Sequence, residues 1–456
     1  MADRLTALDA TFLELEEADE TAHMHVGGAM VFDPLPGGGT PRLEDVRRHL
    51  ERRLDALPRY REKLSTPHTG GLTWPSWVPD GSFDVARHVR RAALPAPGGR
   101  DELLEYCAKV WSHRLDRRRP LWEVVLLEGL ADGRWALVTK THHAMVDGIS
   151  SVDAAHLLLD ASPEPSDWHA PPPPDERPAQ GGGLVGAAIH AAVHPLETLH
   201  RTRLVLDLLL RDEIVAAPKT SLNEPIGTER RFDVASVALE DVKRIKRELG
   251  GTVNDVVLAA CAGAFRRLLL ARAEDLPDAG LRTMVPVNVR PQEDRGKLGN
   301  QVSSLFVHLP VAEPDPLRRY RLVMAEAEGL KGNGQALGGQ TLVGVTALAP
   351  PVLHSFAARS LFASRLFNTT ITNVPGPQLP LFAFGARMRE VYPLVPLAAE
   401  HAVGIAVVSY DGRLFFGLIA DRDSVPELAE LRIGLEQSLA ELRELARTPA
   451  EKEVVT

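Results

Sequence analysis

Thr141-His142-His143-Ala144-Met145-Val146-Asp147-Gly148 (THHAMVDG) sets two adjacent histidines just ahead of an aspartate and a glycine. Three readings compete for such a stretch: a metal site, a catalytic base with a supporting carboxylate, or two core histidines beside a turn. Neighbouring side chains on a strand point to opposite faces, so one ion cannot easily collect both histidines. A helical pairing of His143 with Asp147 would need a continuous helix, which Gly148 and the threonine-rich strand before it oppose. No third ligand stands nearby, and metal sites generally need three protein groups, so no metal is expected. A pair of core histidines leaves the carboxylate and the turn glycine unexplained. Gly148 suits a positive φ, which would fold the chain back and bring Asp147 beneath the histidine strand. A catalytic base explains more, because imidazole titrates nearest neutrality.

Working outward, Trp122 to Glu128 (WEVVLLE) and Arg134 to Thr141 (RWALVTKT) read as strands, with Asp132-Gly133 as the turn of a hairpin. Beyond Gly148, the residues Ile149, Val152, His156 and Leu159 recur at helical spacing. The histidines therefore fall where a strand ends and a helix begins. Arg42 to Leu64 reads as one charged amphipathic helix. Ala161 to Gly183, with four consecutive prolines and then three glycines, is a linker. After it, Leu184 to Leu210 reads as a long helical stretch interrupted at Pro195. Asp241 to Leu249 is a helix stopped by Gly250-Gly251. The apolar run VVLAACAGAF after Asn254-Asp255 is a buried helix. Met284 to Arg290 is a strand with Val285, Val287 and Val289 on one face and Asn288 and Arg290 on the other. HAVGIAVVSYDGRLFFGLIAD is strand, Asp-Gly turn and strand, and an amphipathic helix from Val425 to about Ala446 follows. Strands mixed with helices in both halves make the fold α/β or α+β.

A chain of 456 residues exceeds what one core normally serves, so two domains are expected. An apolar fraction of 44% and a charged fraction of 25% are those of a globular protein. A net charge of −9 argues against general nucleic-acid binding. Cys107 and Cys261, the two cysteines, exclude a disulfide framework and a cysteine-based zinc site. The acidic N-terminus does not read as a signal peptide, and no apolar run is long enough for a spanning helix. A cytoplasmic location is expected, with room for attachment to a membrane face or lipid droplet.

HHAMVDG resembles the HHxxxDG signature of the CoA-dependent acyltransferase superfamily, and within it the bacterial wax ester synthase/acyl-CoA:diacylglycerol acyltransferase family. The likeness extends to LTALDATFLELE and HMHVGGAMVFDP near the start. It continues through Pro120-Leu121-Trp122 (the PLW element), Asn254-Asp255 (the ND element), SLNEPIGTERRF, VPVNVR, LGNQVSSLFVHLP and Asn373 to Pro377 (NVPGP). These motifs keep the family's order and cover nearly the whole chain.

The resemblance implies two chloramphenicol-acetyltransferase-like α/β domains with mixed sheets. They would span residues 1–160 and 226–456, be joined by a linker and crossover helix over 161–225, and enclose a tunnel at their interface. It implies an O-acyltransferase moving a fatty acyl group from acyl-CoA to a diacylglycerol or long-chain alcohol, with acyl-CoA as substrate and no cofactor. His143 matches the catalytic base, and His142 a packing or orienting residue. Asp147, with Gly148, matches a structural carboxylate whose arginine partner would be Arg290; Arg290 could equally be a surface cation. Asn254 could donate to the oxyanion or cap its helix. Pro120, Leu121, Trp122, Asn373, Pro375, Gly376 and Pro377 would shape the tunnel and domain contact. A lipid-borne substrate implies peripheral membrane contact, for which Leu342 to Phe367 is the best segment unless it packs against the second domain. The rivals are a condensation-type acyltransferase with another acceptor and a non-enzymatic lipid-droplet protein.

Overall fold

The computed structural model describes residues 3–5, 7–65, 75–145, 158–164, 217–288, 302–332 and 366–447. The first half forms, in order, β1 (Asp3–Arg4), α1 (Ala7–Ala18), β2 (His25–Phe32), α2 (Leu43–Arg53), β3 (Glu62–Leu64), β4 (Ser76–Pro79), β5 (Val89–Ala93), α3 (Arg100–Trp111), β6 (Trp122–Glu128) and β7 (Trp135–His142). The second half forms β8 (Arg230–Ala238), α4 (Leu239–Leu249), α5 (Val253–Ala271), β9 (Leu281–Asn288), β10 (Val302–Leu309), α6 (Pro316–Gly332), β11 (Thr369–Val374), β12 (Phe382–Ala383), β13 (Ala386–Leu394), β14 (Val403–Tyr410), β15 (Arg413–Asp421) and α7 (Leu428–Leu445).

The hairpin before the histidines forms as its turn residues predict. β6 and β7 pair antiparallel with Trp122 opposite Thr141, and Asp132 and Gly133 both take positive φ between them. The second Asp-Gly hairpin, β14 to β15, likewise turns at Asp411 and Gly412, both at positive φ. The helix at Asp241 ends at Leu249 because Gly250 adopts φ +88. The apolar run lies in α5, whose residues Val256 to Ala262 are all buried. The Arg42–Leu64 helix is a correction. The α-helix stops at Arg53, Pro58 opens a second short 3-10 turn, and Glu62–Leu64 is already a strand. A proline cannot supply the N–H that a continuing helix needs.

Two six-stranded mixed sheets carry the fold, in the orders β12-β13-β2-β7-β6-β5 and β10-β9-β11-β14-β15-β8, beside a small β1-β4-β3 sheet. Within the large sheets, β5–β6, β9–β11 and β11–β14 run parallel and the other pairings are antiparallel. The chain order of the expected domains is not the order of the sheets. β12 and β13 come from the second half but complete the first half's sheet, β13 lying antiparallel on β2 with Tyr392 opposite Ala29. Pairing in this way covers the β2 edge, which would otherwise present unsatisfied N–H and C=O groups. Gly28 permits the close approach, since a Cβ there would collide with the Tyr392 carbonyl oxygen. One hydrophobic core spans the halves: Trp111 of α3 meets Phe232 of β8 edge-on, with centroids 4.6 Å apart.

Several expectations concern residues outside those described: Ile149, Val152 and His156, residues 165–216 of the linker and long helical stretch, Val289, and positions 342–365 of the membrane segment.

Candidate active site

The N-terminal helix supplies the bed on which the two histidines rest. Phe12 and Glu16 stand four residues apart on α1 and therefore share a face. Phe12 lies flat on His143, with ring centroids 3.9 Å apart. Glu16 meets His142, Oε2 to Nε2, at 3.4 Å.

Backbone bonds fix the two histidines from both flanks. The His142 N–H donates to the Leu121 carbonyl at 2.9 Å, and the His143 N–H to the Met24 carbonyl at 2.8 Å. β7 then gives way to a 3-10 turn, His143–Met145. Within it the Ala144 N–H donates to His142 Nδ1 at 3.1 Å. An imidazole nitrogen that accepts carries no proton, so a neutral His142 bears its hydrogen on Nε2, toward Glu16. His142 is fully buried, whereas His143 stays partly accessible.

A buried polar cluster surrounds Glu16. His25, directly opposite His142 across β2 and β7, brings Nε2 to 3.3 Å from Oε1. Arg117 donates from Nη2 and Nε to Oε2 at 2.9 and 3.2 Å. The two imidazole contacts are within ion-pair reach but are not aligned as hydrogen bonds. Burial pushes the Glu16 carboxyl up, but His142 and His25 outweigh it and hold the group well below the usual carboxylate range. Burial, and the neighbouring His142, push His143 down to about 4. At neutral pH it is an uncharged base.

Gly27 lets this cluster assemble, because a Cβ there would strike the Thr139 carbonyl oxygen across the β2–β7 ladder. Lys140, also buried, is held by Glu123 at 2.6 Å and by the carbonyls of Val110 and His113 at the end of α3.

The other sequence candidates divide into two groups. The buried Leu121 supplies the carbonyl beneath His142; Trp122 is packed in the core, stacked on His88 and donating from Nε1 to the Tyr60 carbonyl at 2.8 Å. Pro120 precedes them as a buried residue. On the far side, the structure joins two residues that the sequence singles out separately. Asn373, near the end of β11, donates from Nδ2 to Asn254 Oδ1 at 3.4 Å. The cap of α5 is Thr252, in a reciprocal capping box with Asp255, so Asn254 does not serve as the cap. After Asn373 the chain turns through Pro375, Gly376 and Pro377, and the Gly376 N–H donates to Ser409 Oγ at 3.1 Å. Asp147, Gly148 and Arg290 lie outside the described residues. Glu16, His25 and Arg117 were missed by sequence reasoning. The signal available was the apolar spacing of Phe12, Leu13 and Leu15, which puts Glu16 rather than Glu17 on the buried face.

The model of the wax ester synthase/diacylglycerol acyltransferase catalytic domain matches residues 5–257, and that of the family's C-terminal domain matches residues 298–443. The chain belongs to this family. It is 36% identical over 457 residues to a probable diacylglycerol O-acyltransferase of Mycobacterium tuberculosis, covering 96% of each chain. Among solved structures, it resembles the wax ester synthase/diacylglycerol acyltransferase from Marinobacter aquaeolei VT8, with a TM-score of 0.73 and 31% identity over 98% of this chain and all of that one. The starter condensation domain of rhizomide synthetase shares the fold, with a TM-score of 0.61 at 12% identity over 98% of this chain and 94% of that one. The family's two-sheet, chloramphenicol-acetyltransferase-like architecture is thus present, and the chain is an O-acyltransferase of the wax ester synthase/diacylglycerol acyltransferase family. No described helix is long and apolar enough to cross a membrane.

Proposed function

We propose that the enzyme transfers a fatty acyl group from acyl-CoA to a diacylglycerol or long-chain alcohol, with His143 as general base. The observation that carries this reading is His143 itself: partly accessible, seated on Phe12, and uncharged at neutral pH. The acceptor hydroxyl gives its proton to the imidazole as its oxygen attacks the thioester carbonyl. The tetrahedral intermediate collapses by expelling CoA thiolate, which the imidazolium then protonates, so the base is regenerated. No cofactor enters this scheme. Asn254 is suited to the oxyanion, because its Oδ1 already accepts from Asn373 and its Nδ2 therefore points donors elsewhere. Asp147 serves as a structural carboxylate, with Arg290 as its partner.

The deciding experiment incubates purified protein with labelled acyl-CoA and either a fatty alcohol or a diacylglycerol. Ester formed with either acceptor supports the reading, and the ratio names the preferred one; no ester with both would sink it. Peripheral contact with a membrane or lipid droplet, through Leu342 to Phe367, belongs to the same proposal. Flotation with anionic vesicles tests it, and loss of binding in Arg359→Glu/Arg365→Glu would assign the contact to that segment.

A further inference from the structure

Glu16 stands in an acidic run, Glu14 to Glu20, yet its carboxylate is almost wholly removed from water while the Glu17 side chain beside it is 78% exposed. Taking a carboxylate out of water is costly even when it is paired, so a leucine would fill the same space at less cost. Its carboxylate must therefore do something a leucine cannot. It accepts from Arg117 and faces the Nε2 atoms of His25 and His142 from two strands.

We propose that Glu16 is a positioning residue that locks His142 in one tautomer and one ring orientation, and through it sets the turn that presents His143. The inference rests on His143 being the base, as proposed above. The His142 ring is held at both ends. Its Nδ1 accepts from the Ala144 N–H, inside the turn that carries His143, and its Nε2 faces the Glu16 carboxylate. Only the Nε2–H tautomer suits both ends, leaving a lone pair for the Ala144 N–H and turning a hydrogen toward the carboxylate. With the proton on Nδ1, that hydrogen would oppose the Ala144 N–H and a bare Nε2 would oppose a carboxylate. A ring turned over would break the contact with Ala144 and free the turn. The helix that carries Glu16 also carries Phe12 against His143, so one rigid element orients both rings. This logic is that of a carboxylate holding a histidine tautomer in a hydrolase triad, moved one residue back along the chain from the base.

The substitution Glu16→Gln discriminates because an amide has one accepting oxygen where the carboxylate has two. The amide also lacks the charge that faces both imidazoles, and its NH2 must point at His25, His142 or Arg117, none of which can accept from it in the parent arrangement. Glu16→Asp keeps the charge and shortens the reach. The experiment uses full-length protein labelled with 15N-histidine, with the His142 signals assigned by loss in His142→Asn. Imidazole nitrogen shifts are read in the parent and both variants, alongside kcat and KM for acyl-CoA.

The parent is expected to show His142 as a single Nε2–H tautomer. Glu16→Gln is expected to mix the tautomers and lower kcat by about tenfold to a hundredfold, the usual scale for an outer orienting partner, with KM little changed. Glu16→Asp is expected to regain part of both. A parent His142 protonated on Nδ1 overturns the proposal, and that measurement needs no variant to fold. Glu16→Gln with an unchanged tautomer overturns it too, whatever its activity. If the tautomer depends on Glu16 while His143→Ala keeps its turnover, the lock stands and the base assignment fails.

Discussion

Phe12 covers one face of His143, the rings 3.9 Å apart and inclined by 26°. A ring stacked at that distance excludes water from the imidazole face, and exclusion of water penalises the charged form. The effect is an imidazole pushed down to about 4 from the usual 6.5. The acid limb of kcat/KM should therefore fall near 4, measured as initial rates after a brief pH jump. In Phe12→Ala the limb should move up toward 6.5, with turnover reduced. An acid limb at 6.5 in the parent would remove burial of His143 from the account.

Removing the base itself is the sharper test of chemistry. His143→Ala should lower turnover by at least about a hundredfold, the scale of general-base loss, while the protein stays folded. His142→Ala should cost less in turnover but more in stability, about 1–3 kcal/mol, because Glu16 loses a buried partner. Equal turnover in His143→Ala and the parent would end the catalytic assignment.

The Asn373–Asn254 contact predicts coupling. Asn254→Ala should lower kcat by about 10²–10³, as loss of an oxyanion donor does. Asn373→Ala should lower it less, by letting the Asn254 amide rotate. The double variant should resemble Asn254→Ala alone. Costs that simply multiply would show that Asn373 does not orient Asn254.

Stability should depend on pH through buried histidines. His25 is pushed down to about 3, and His23, His49 and His401 to about 4, in each case chiefly by burial. Between these values and 6.5 the unfolded chain binds protons that the folded chain refuses, so stability is complete above about 6.5 and is lost as pH falls. The depressed Glu16 carboxyl acts in the same direction below its ordinary value of 4.5. The melting temperature should fall steadily from pH 6.5 to 4. A flat profile over that range would contradict burial of these rings.

Arg230 ties the halves together at the site's rear. Its guanidinium donates to the Thr21 carbonyl, in the loop between α1 and β2, and stands 3.7 Å from Asp421, while its N–H donates to Ser112 Oγ. Arg230→Met leaves a buried carboxylate at Asp421 short of its cation. A loss of about 3–5 kcal/mol is expected in denaturant unfolding. A loss below 1 kcal/mol would mean that the pair is no latch.

Local chemistry made much of this protein legible in its sequence. Asp-Gly pairs turn both hairpins because those residues tolerate positive φ, and Gly250 stops its helix for the same reason. The uninterrupted apolar run of α5 is buried because no polar face gives it a way to water. The double histidine, its strand end and the family were all readable from short patterns. Tertiary structure alone decided the rest. That β13 completes the first half's sheet depends on pairing between Tyr392 and Ala29, positions far apart in the chain, and alternation within a strand says nothing of its neighbour. Glu16 and Glu17 are the same residue type, and the apolar spacing of Phe12, Leu13 and Leu15 names the buried face of the helix but not what that face meets. Glu16 meets two imidazoles and Arg117, whereas Glu17 is exposed and reaches the same Arg117 at 3.8 Å, because the packing of α1 against the ends of β2 and β7 decides what the buried face meets.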